Sequence, residues 1–341
     1  MAKNIAPSTT AVITATVWNT FESLYIQHGA LEKAHDQFDA VRLAFAKNRE
    51  SNSPTRGLCI FAPSHSGKSH TIRSYVRQKI VPALLAEDPA LSVMDVEDLV
   101  REQKKVVHVT LSAQATPKSL AVDILTALED DEPDRGTKQT LWRRVHKLLK
   151  SAGTELLVID EVQHLAHRRI RYKQNSDEIV YDHQQDQTVA DTLKVMMIRG
   201  SVPIVFCGIL QSRQLLFAST QFKGRVLDEI RFETLRWAVE SERMEFFAFC
   251  GRLALKLKQT GLLTEEPPLV HDDVPSALYA ASGGRLGLVC RIVEKATILA
   301  LTSGSTTISR DHLSMAVDIV IVARGESAHN PFNNNPGATL V

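Results

Sequence analysis

The chain has 341 residues, 44% of them hydrophobic and 23% charged, enough for one large domain or one domain with an appendage. Lys plus Arg is 40 and Asp plus Glu is 39; this balance excludes a global basic field, so any nucleic-acid binding has to come from a local patch or from an assembly that repeats one. Cys59, Cys207, Cys250 and Cys290 lie far apart with no C-x-x-C pair, and there is neither a signal-type leader nor an apolar run of ~18 residues, which predicts a soluble cytoplasmic protein without a membrane segment.

Residues 1 to 16 are rich in Ser, Thr and Ala and predict loose chain. From Trp18 to about Arg49 apolar residues such as Leu31, Ala34, Phe38 and Val41 recur at helical spacing. They predict a leading helical segment, in an extension spanning residues 1–50, that packs against the domain behind it. SNSPTRG, residues 51–57, breaks the pattern. The run Leu58 to Phe61 predicts a buried strand, and Thr71, Ile72, Tyr75 and Val76 predict a helix that Pro82 kinks or ends.

Between that strand and that helix stands APSHSGKSH, residues 62–70. A strand, a Gly-Lys-Ser loop and a helix in succession predict a phosphate-binding loop. Successive N–H groups at a helix start cradle an anion, and a glycine there lets the backbone come close. The candidate nucleotide-contacting residues are therefore Ala62, Pro63, Ser64, His65, Ser66, Gly67, Lys68, Ser69 and His70. Lys68 is placed to reach the β- and γ-phosphates of ATP, and Ser69 to offer its hydroxyl to Mg2+. Ala62 occupies the first Gly of the pattern G-x-x-x-x-G-K-[ST]. Because Ala does not take a positive φ cheaply, it predicts a strained loop entry and slow hydrolysis.

Further along, VVHVTL (106–111) predicts a second strand, and residues 119–128 and 141–149 predict helices. ELLVIDE (155–161) is an apolar strand ending in two acids, the Walker B pattern. Asp160 would hold Mg2+ through water, and Glu161 would orient or deprotonate the attacking water. Residues 167–187 are polar and cationic, and predict a loop or small insertion. VPIVFCG (202–208) and IRFETL (230–235) complete five strands. Five short apolar strands alternating with helices predict an α/β domain over 51–239, with a parallel sheet and helices on both faces. Ligands of such sheets bind beyond the carboxyl ends of the strands, where both motifs stand. Four helical patterns then predict an all-helical lid over 240–324, and the Asn/Pro/Gly-rich tail 325–341 predicts disorder. His164, His167 and His183 match no zinc spacing, so Mg2+ with ATP is the one cofactor predicted.

A phosphate loop, Walker B with a trailing Glu, five strands and a helical lid together describe an AAA+ P-loop NTPase. LLVIDEVQHL, VPIVFCGI, the residues Leu235 and Trp237, and ASGGRLGLV make the chain resemble the TniB/TnsC family of transposition ATPases, from about Tyr25 to about Val322. The resemblance implies an ATPase that assembles as a homo-oligomeric ring or filament on double-stranded DNA in the bacterial cytoplasm. It implies a link from a target selector of the TniQ/TnsD kind to a transposase of the TnsB/TniA kind.

It also implies site residues. A neighbouring subunit would supply an arginine finger, with Arg225 first, then Arg231 and Arg213. Arg285 would be the lid arginine that touches the γ-phosphate. The fourth strand of the family ends in Asn, Thr or Ser; here it ends in Cys207 and Gly208, with Gln211 the nearest substitute. Thr116 and Lys118 would contact DNA, as would the cationic run with Arg168, Arg169 and Arg171; Lys104 and Lys105 are the alternative. Two other readings fit the same motifs: an ATPase of a secretion or cell-envelope system, and an ATP-binding scaffold with little hydrolysis.

Overall fold

The computed structural model describes residues 8–48, 53–113, 115–165, 170–172, 179–181, 184–217, 224 and 226–333. Its strands are β1 (Gly57–Phe61), β2 (Val106–Thr110), β3 (Leu156–Asp160), β4 (Ile170–Tyr172), β5 (Ile179–Tyr181), β6 (Ile204–Gly208) and β7 (Val226–Arg231). Five of them form one all-parallel sheet in the order β2-β3-β6-β1-β7.

The residues of β1, β3 and β6 alternate between two buried faces, which is why these runs are apolar up to Asp160. Leu58, Ile60, Val158 and Cys207 belong to one core, with Phe38 of α2 (Gly29–Asn48) and Ile72 and Tyr75 of α3 (Lys68–Tyr75). Cys59, Phe61, Ile159 and Phe206 belong to the opposite core. There they meet α6 (Pro117–Ala127), α7 (Lys138–Ser151), α8 (Gln184–Ile198) and α9 (Ser212–Phe217). Burying each Val, Leu, Ile or Phe side chain contributes about 1.5–3 kcal/mol. The sandwich therefore rests mainly on the two cores.

Polar groups fix the register of α2 and α3. Arg42 donates to the Tyr75 hydroxyl at 2.7 Å and pairs with Glu155, just before β3, at 2.5 Å. The Tyr75 hydroxyl donates to Asp39 at 2.6 Å. The helical run after the loop does not end at Pro82. A π-turn, Val76–Ile80, leads into α4 (Val81–Glu87), with Pro82 in its first turn. Widening the helix just upstream absorbs the proline. A short α5 (Val96–Glu102) precedes β2.

The chain divides into two compact units, one of Ala30–Ser64 and Lys68–Phe232, the other of Met1–Gly29, His65–Gly67 and Glu233–Val341. The second is helical: α1 (Thr9–Ser23), α10 (Glu240–Gln259), α11 (Val274–Ser282), α12 (Leu286–Thr302) and α13 (Arg310–Val320). Its core includes Phe246, Leu253, Leu278, Ile292 and Val317. Gly284 (φ +74) turns the chain from α11 to α12; a Cβ there would lie 2.2 Å from the Leu235 carbonyl oxygen. Among the described residues, no helix is long and apolar enough to cross a membrane.

Four local expectations change. Residues 9–16, predicted loose, open α1, because the Ser8 side chain accepts the Ala11 N–H and caps the helix. The fifth strand is Val226–Arg231 and not 230–235, since pairing with β1 ends at Phe61↔Arg231. Its polar Glu229 is tolerated because β7 is an edge strand with one neighbour. Part of 167–187 is an antiparallel hairpin, β4 with β5, with Arg171 opposite Val180. In the tail, Asn330 and Phe332 are packed: Asn330 donates to Ser314 O at 2.9 Å and Asp318 at 2.8 Å, and Phe332 is 2% exposed. Residues 334–341 lie outside the described residues.

Candidate nucleotide-binding site

β1 and β3 flank β6, and the loops beyond their carboxyl ends carry the two motifs. The Ala62 N–H donates to Gly208 O at 3.2 Å, continuing the β1–β6 pairing one residue past the strand. The left-handed backbone of the loop falls at His65 (φ 62) and Gly67 (φ 90); Ala62 is not among the positive-φ residues. The strain expected from Ala62 therefore does not arise. Ala62 is fully buried, where its methyl adds to the core. His65 is the residue that bears left-handed strain, about 1–2 kcal/mol for a non-glycine residue.

Lys68 opens α3 and donates from Nζ to the Ala62 and Pro63 carbonyls at 2.9 and 3.0 Å. Burial lowers its pKa, partly offset by Asp160 and Glu161. Ser69 donates to Asp160 Oδ2 at 3.2 Å, and His108 of β2 meets the same oxygen at 3.3 Å. Asp160 is 3% exposed, and its Oδ1 accepts the Glu161 N–H at 2.8 Å. Burial pushes this carboxyl up; the bonds from His108, the Glu161 N–H and Ser69 outweigh it and hold the pKa below the usual carboxylate range. Asp160 is thus ionised at neutral pH.

Glu161 has a left-handed backbone (φ 59), a conformation that costs energy and concentrates at functional sites. Its carboxylate accepts a hydrogen bond from Gln163 Nε2. Gln163 Oε1 in turn lies 3.4 Å from the Ile209 N and from the Ser212 hydroxyl. Gln211, the expected substitute at the end of β6, is exposed.

Ser66 Oγ is buried and has no hydrogen-bond partner among the described residues. An orphaned hydroxyl, the Lys68 ammonium and a helix N-terminus in one loop fit a phosphate. The paired oxygens of Ser69 and Asp160 are hard donors that fit Mg2+. His70, within α3, is partly buried, and burial with Arg77 and Arg73 nearby lowers its pKa to about 4.

The remaining candidates are dispersed. Thr116 caps α6, its hydroxyl accepting the Ser119 N–H at 3.0 Å; Thr116 and Lys118 are exposed. Lys104 pairs with Glu129 and Lys105 with Glu155. Arg171 lies on β4, whereas Arg168, Arg169 and Arg225 lie outside the described residues. Arg213 and Arg231 both approach Glu229, at 3.2 and 3.7 Å. In the helical unit, Arg285 donates to Ser282 O at 2.9 Å and pairs with Glu326 at 2.9 Å. Within that same unit a Cβ on Gly287 would lie 2.3 Å from the His65 carbonyl oxygen.

His108, Gln163, Gly287 and Glu326 escape the sequence reading. His108 carried a signal, a polar residue inside a strand of valines. Gln163 lay two residues past the Walker B pair, and nothing in its spacing said where its side chain goes.

A sheet of this order, with both motifs at its carboxyl edge and a helical C-terminal region, defines the AAA+ P-loop fold. A family model described as an AAA domain matches residues 51–216. The fold is similar to the Aeropyrum pernix ORC2 protein in its ADPNP and ADP complexes. The identity is 12%, with 89% of this chain and 71% of that one covered, at a TM-score of 0.55. Cdc6p from Pyrobaculum aerophilum gives 12%, 89%, 70% and 0.56. The Aeropyrum pernix ORC1 protein in complex with DNA gives 16%, 90%, 70% and 0.55. No curated protein matches the chain.

Proposed function

We propose that this chain is an ATP-hydrolysing AAA+ protein that assembles as a homo-oligomer on double-stranded DNA and regulates DNA transposition. The observation that carries the hydrolysis is the joint placement of Ser69, Asp160 and Glu161 beside Lys68. The loop N–H groups and Lys68 bind phosphate oxygens. Ser69 and Asp160 would hold Mg2+, which would supply charge neutralisation on the phosphates. Glu161 orients the attacking water and takes its proton. Arg225 from a neighbouring copy and Arg285 are the proposed cationic partners of the transferring phosphoryl group.

DNA binding is supported by the likeness in fold to the ORC1 protein in its DNA complex. Thr116, Lys118, Arg168, Arg169 and Arg171 are the proposed contacts. The role in transposition rests on the DEVQHL and SGGRLG runs that resemble the TniB/TnsC family. With it come the partners, a TniQ/TnsD-type selector and a TnsB/TniA-type transposase, and a place on DNA in the cytoplasm.

Electron microscopy with ATP, with and without duplex DNA, tests this reading, alongside Glu161→Gln. Rings or filaments around DNA, stabilised in the variant, are expected. Particles indifferent to DNA at low salt would remove the transposition reading. Equal, near-background phosphate release from wild type and Glu161→Gln would leave an ATP-binding scaffold.

A further inference from the structure

α7 is the most basic element among the described residues. Its fourteen residues hold Lys138, Arg143, Arg144, Lys147, Lys150 and His146, and no acid. Arg144 faces the preceding loop and pairs with Asp130. Lys138, Arg143 and Lys147 are exposed, and no carboxylate lies within ion-pairing distance of them among the described residues. Arg199, just past the end of α8, is likewise exposed and without an ion-pair partner among the described residues. Several other cations of the chain are paired, as in Arg42 with Glu155, Arg77 with Glu97 and Arg310 with Asp273.

These cations frame a hollow of about 440 Å³ lined by Lys138, Gln139, Trp142, Arg143, His146 and Arg199. Positions 138, 142 and 146 share one helical face, with 139 and 143 beside them. Trp142 is held in place by its Nε1–H, which donates to Pro117 O at 2.9 Å. His146 Nδ1 meets the Ser201 hydroxyl at 3.0 Å, and burial beside Arg199 lowers its pKa, so the imidazole is neutral at pH 7. The fixed charges of the hollow are therefore Lys138, Arg143 and Arg199, arranged around an indole and a neutral ring.

We propose that this hollow is a contact for the phosphate backbone of duplex DNA, separate from the loop residues assigned above. The inference rests on the DNA-binding reading and adds a surface to it. Three features select a polyanion over an acidic peptide. Arg143 and Lys147, four residues apart on α7, stand about 6 Å from one another along the axis, so the cations continue past the hollow to Lys147. No large apolar side chain of α7 is exposed to anchor a peptide. The Trp142–Pro117 hydrogen bond ties the hollow to the start of α6, where Thr116 and Lys118 are exposed.

The test is fluorescence anisotropy of a labelled duplex over a salt series, with a slowly hydrolysed ATP analogue. The variants are Lys138→Ala/Arg143→Ala/Arg199→Ala and the charge-preserving Lys138→Arg/Arg143→Lys. Each phosphate contact contributes about 0.9 to the slope of log K against log salt. The triple variant is expected to bind at least about 10-fold more weakly and to lose about 2–3 from that slope. The charge-preserving variant keeps most of both. Arg143→Gln alone, at an exposed position, is expected to lose about 1 and serves if the triple variant melts early. Wild-type affinity and slope in the triple variant would overturn the inference and leave the DNA reading standing. A wild-type protein that ignores duplex DNA would overturn both. Unchanged DNA binding with lost binding to polyglutamate would reassign the hollow to an acidic protein and overturn it.

Discussion

Gln163 joins Glu161 to the end of β6: its Nε2 donates to the Glu161 carboxylate, while its Oε1 lies 3.4 Å from the Ile209 N. The strand itself ends in Cys207 and Gly208, with no polar side chain at this level. A side chain from the Walker B turn thus reaches the place that the strand itself leaves without a polar group. In the proposed hydrolysis Gln163 would be a positioning residue, acting on water only through Glu161. Gln163→Ala is expected to lower kcat about 10–100-fold, the cost of a misplaced catalytic group. KM and the affinity for a fluorescent ATP analogue are expected to stay within about 2-fold, because Lys68 and Ser69 are untouched. A fall in affinity equal to the fall in kcat would make Gln163 a structural residue of the loop.

The absence of a side chain at position 208 has its own cause. A Cβ there would lie 2.6 Å from Val162 Cγ2, 2.9 Å from the Ser212 hydroxyl and 3.1 Å from Gln163 Oε1. Gly208→Ala should therefore cost about 1–3 kcal/mol, as overpacking does, and should also displace Gln163. The expected result is a lower midpoint in urea together with a kcat loss in the direction of Gln163→Ala. Gly208→Asn, which restores the polar residue type, is expected to do worse. Recovery of hydrolysis in Gly208→Asn would show that the strand end can act as the water sensor after all.

Local pattern made the sheet legible. β1, β3 and β6 are buried on both faces, so their runs are apolar and stand out, and the Gly-Lys-Ser and Asp-Glu pairs mark where strands end. What stayed hidden depended on pairing or on distant chain. The start of β7 is set by the partner of Gly57, so the polar Asp228 and Glu229 pointed the wrong way. The conformation of Ala62 is set by Gly208, 146 residues away (208 − 62). The packing of Asn330 and Phe332 in the helical unit depends on Ser314, Asp318 and Arg310, and composition alone suggested disorder. α1 is another such case, since its single capping serine outweighs a sequence that reads as loose.

Tyr75 illustrates how a core aromatic can also be a polar hub. Its ring is buried and lies edge-on to Phe38 at 5.1 Å, while its hydroxyl donates to Asp39 and accepts from Arg42. Tyr75→Phe keeps the ring contacts and removes both hydrogen bonds. Hydrogen bonds to charged groups contribute about 1.5–3 kcal/mol. Since Asp39 and Arg42 are partly exposed and regain water, a net loss of about 1–2 kcal/mol is expected. Urea unfolding followed by tryptophan fluorescence checks it. A midpoint equal to wild type would mean that Glu155 alone holds Arg42 in register.

Acid should loosen the nucleotide-binding unit through two histidines of its α2–α3 layer. Burial lowers the pKa of His35, whose Nε2 lies 3.1 Å from Thr71 O, and lowers that of His70 to about 4, with Arg77, Arg73 and His35 adding to the effect. Both folded-state values lie below the ordinary value near 6.5, so the unfolded chain binds more protons in the interval between. Stability from His70 is complete above about pH 6.5, declines as the pH falls, and is gone below about 4; His35 acts in the same direction. For His70 the span amounts to at most about 3.5 kcal/mol, since a tenfold difference in proton affinity between the folded and unfolded states is worth about 1.4 kcal/mol, and partial exposure reduces it. His70→Gln cannot be protonated and is expected to flatten the stability profile between pH 6.5 and 4.5. The comparison is urea midpoints of wild type and variant across that range, which cancels the carboxylates common to both. Parallel profiles would mean that His70 is solvated in solution and carries no part of the acid sensitivity.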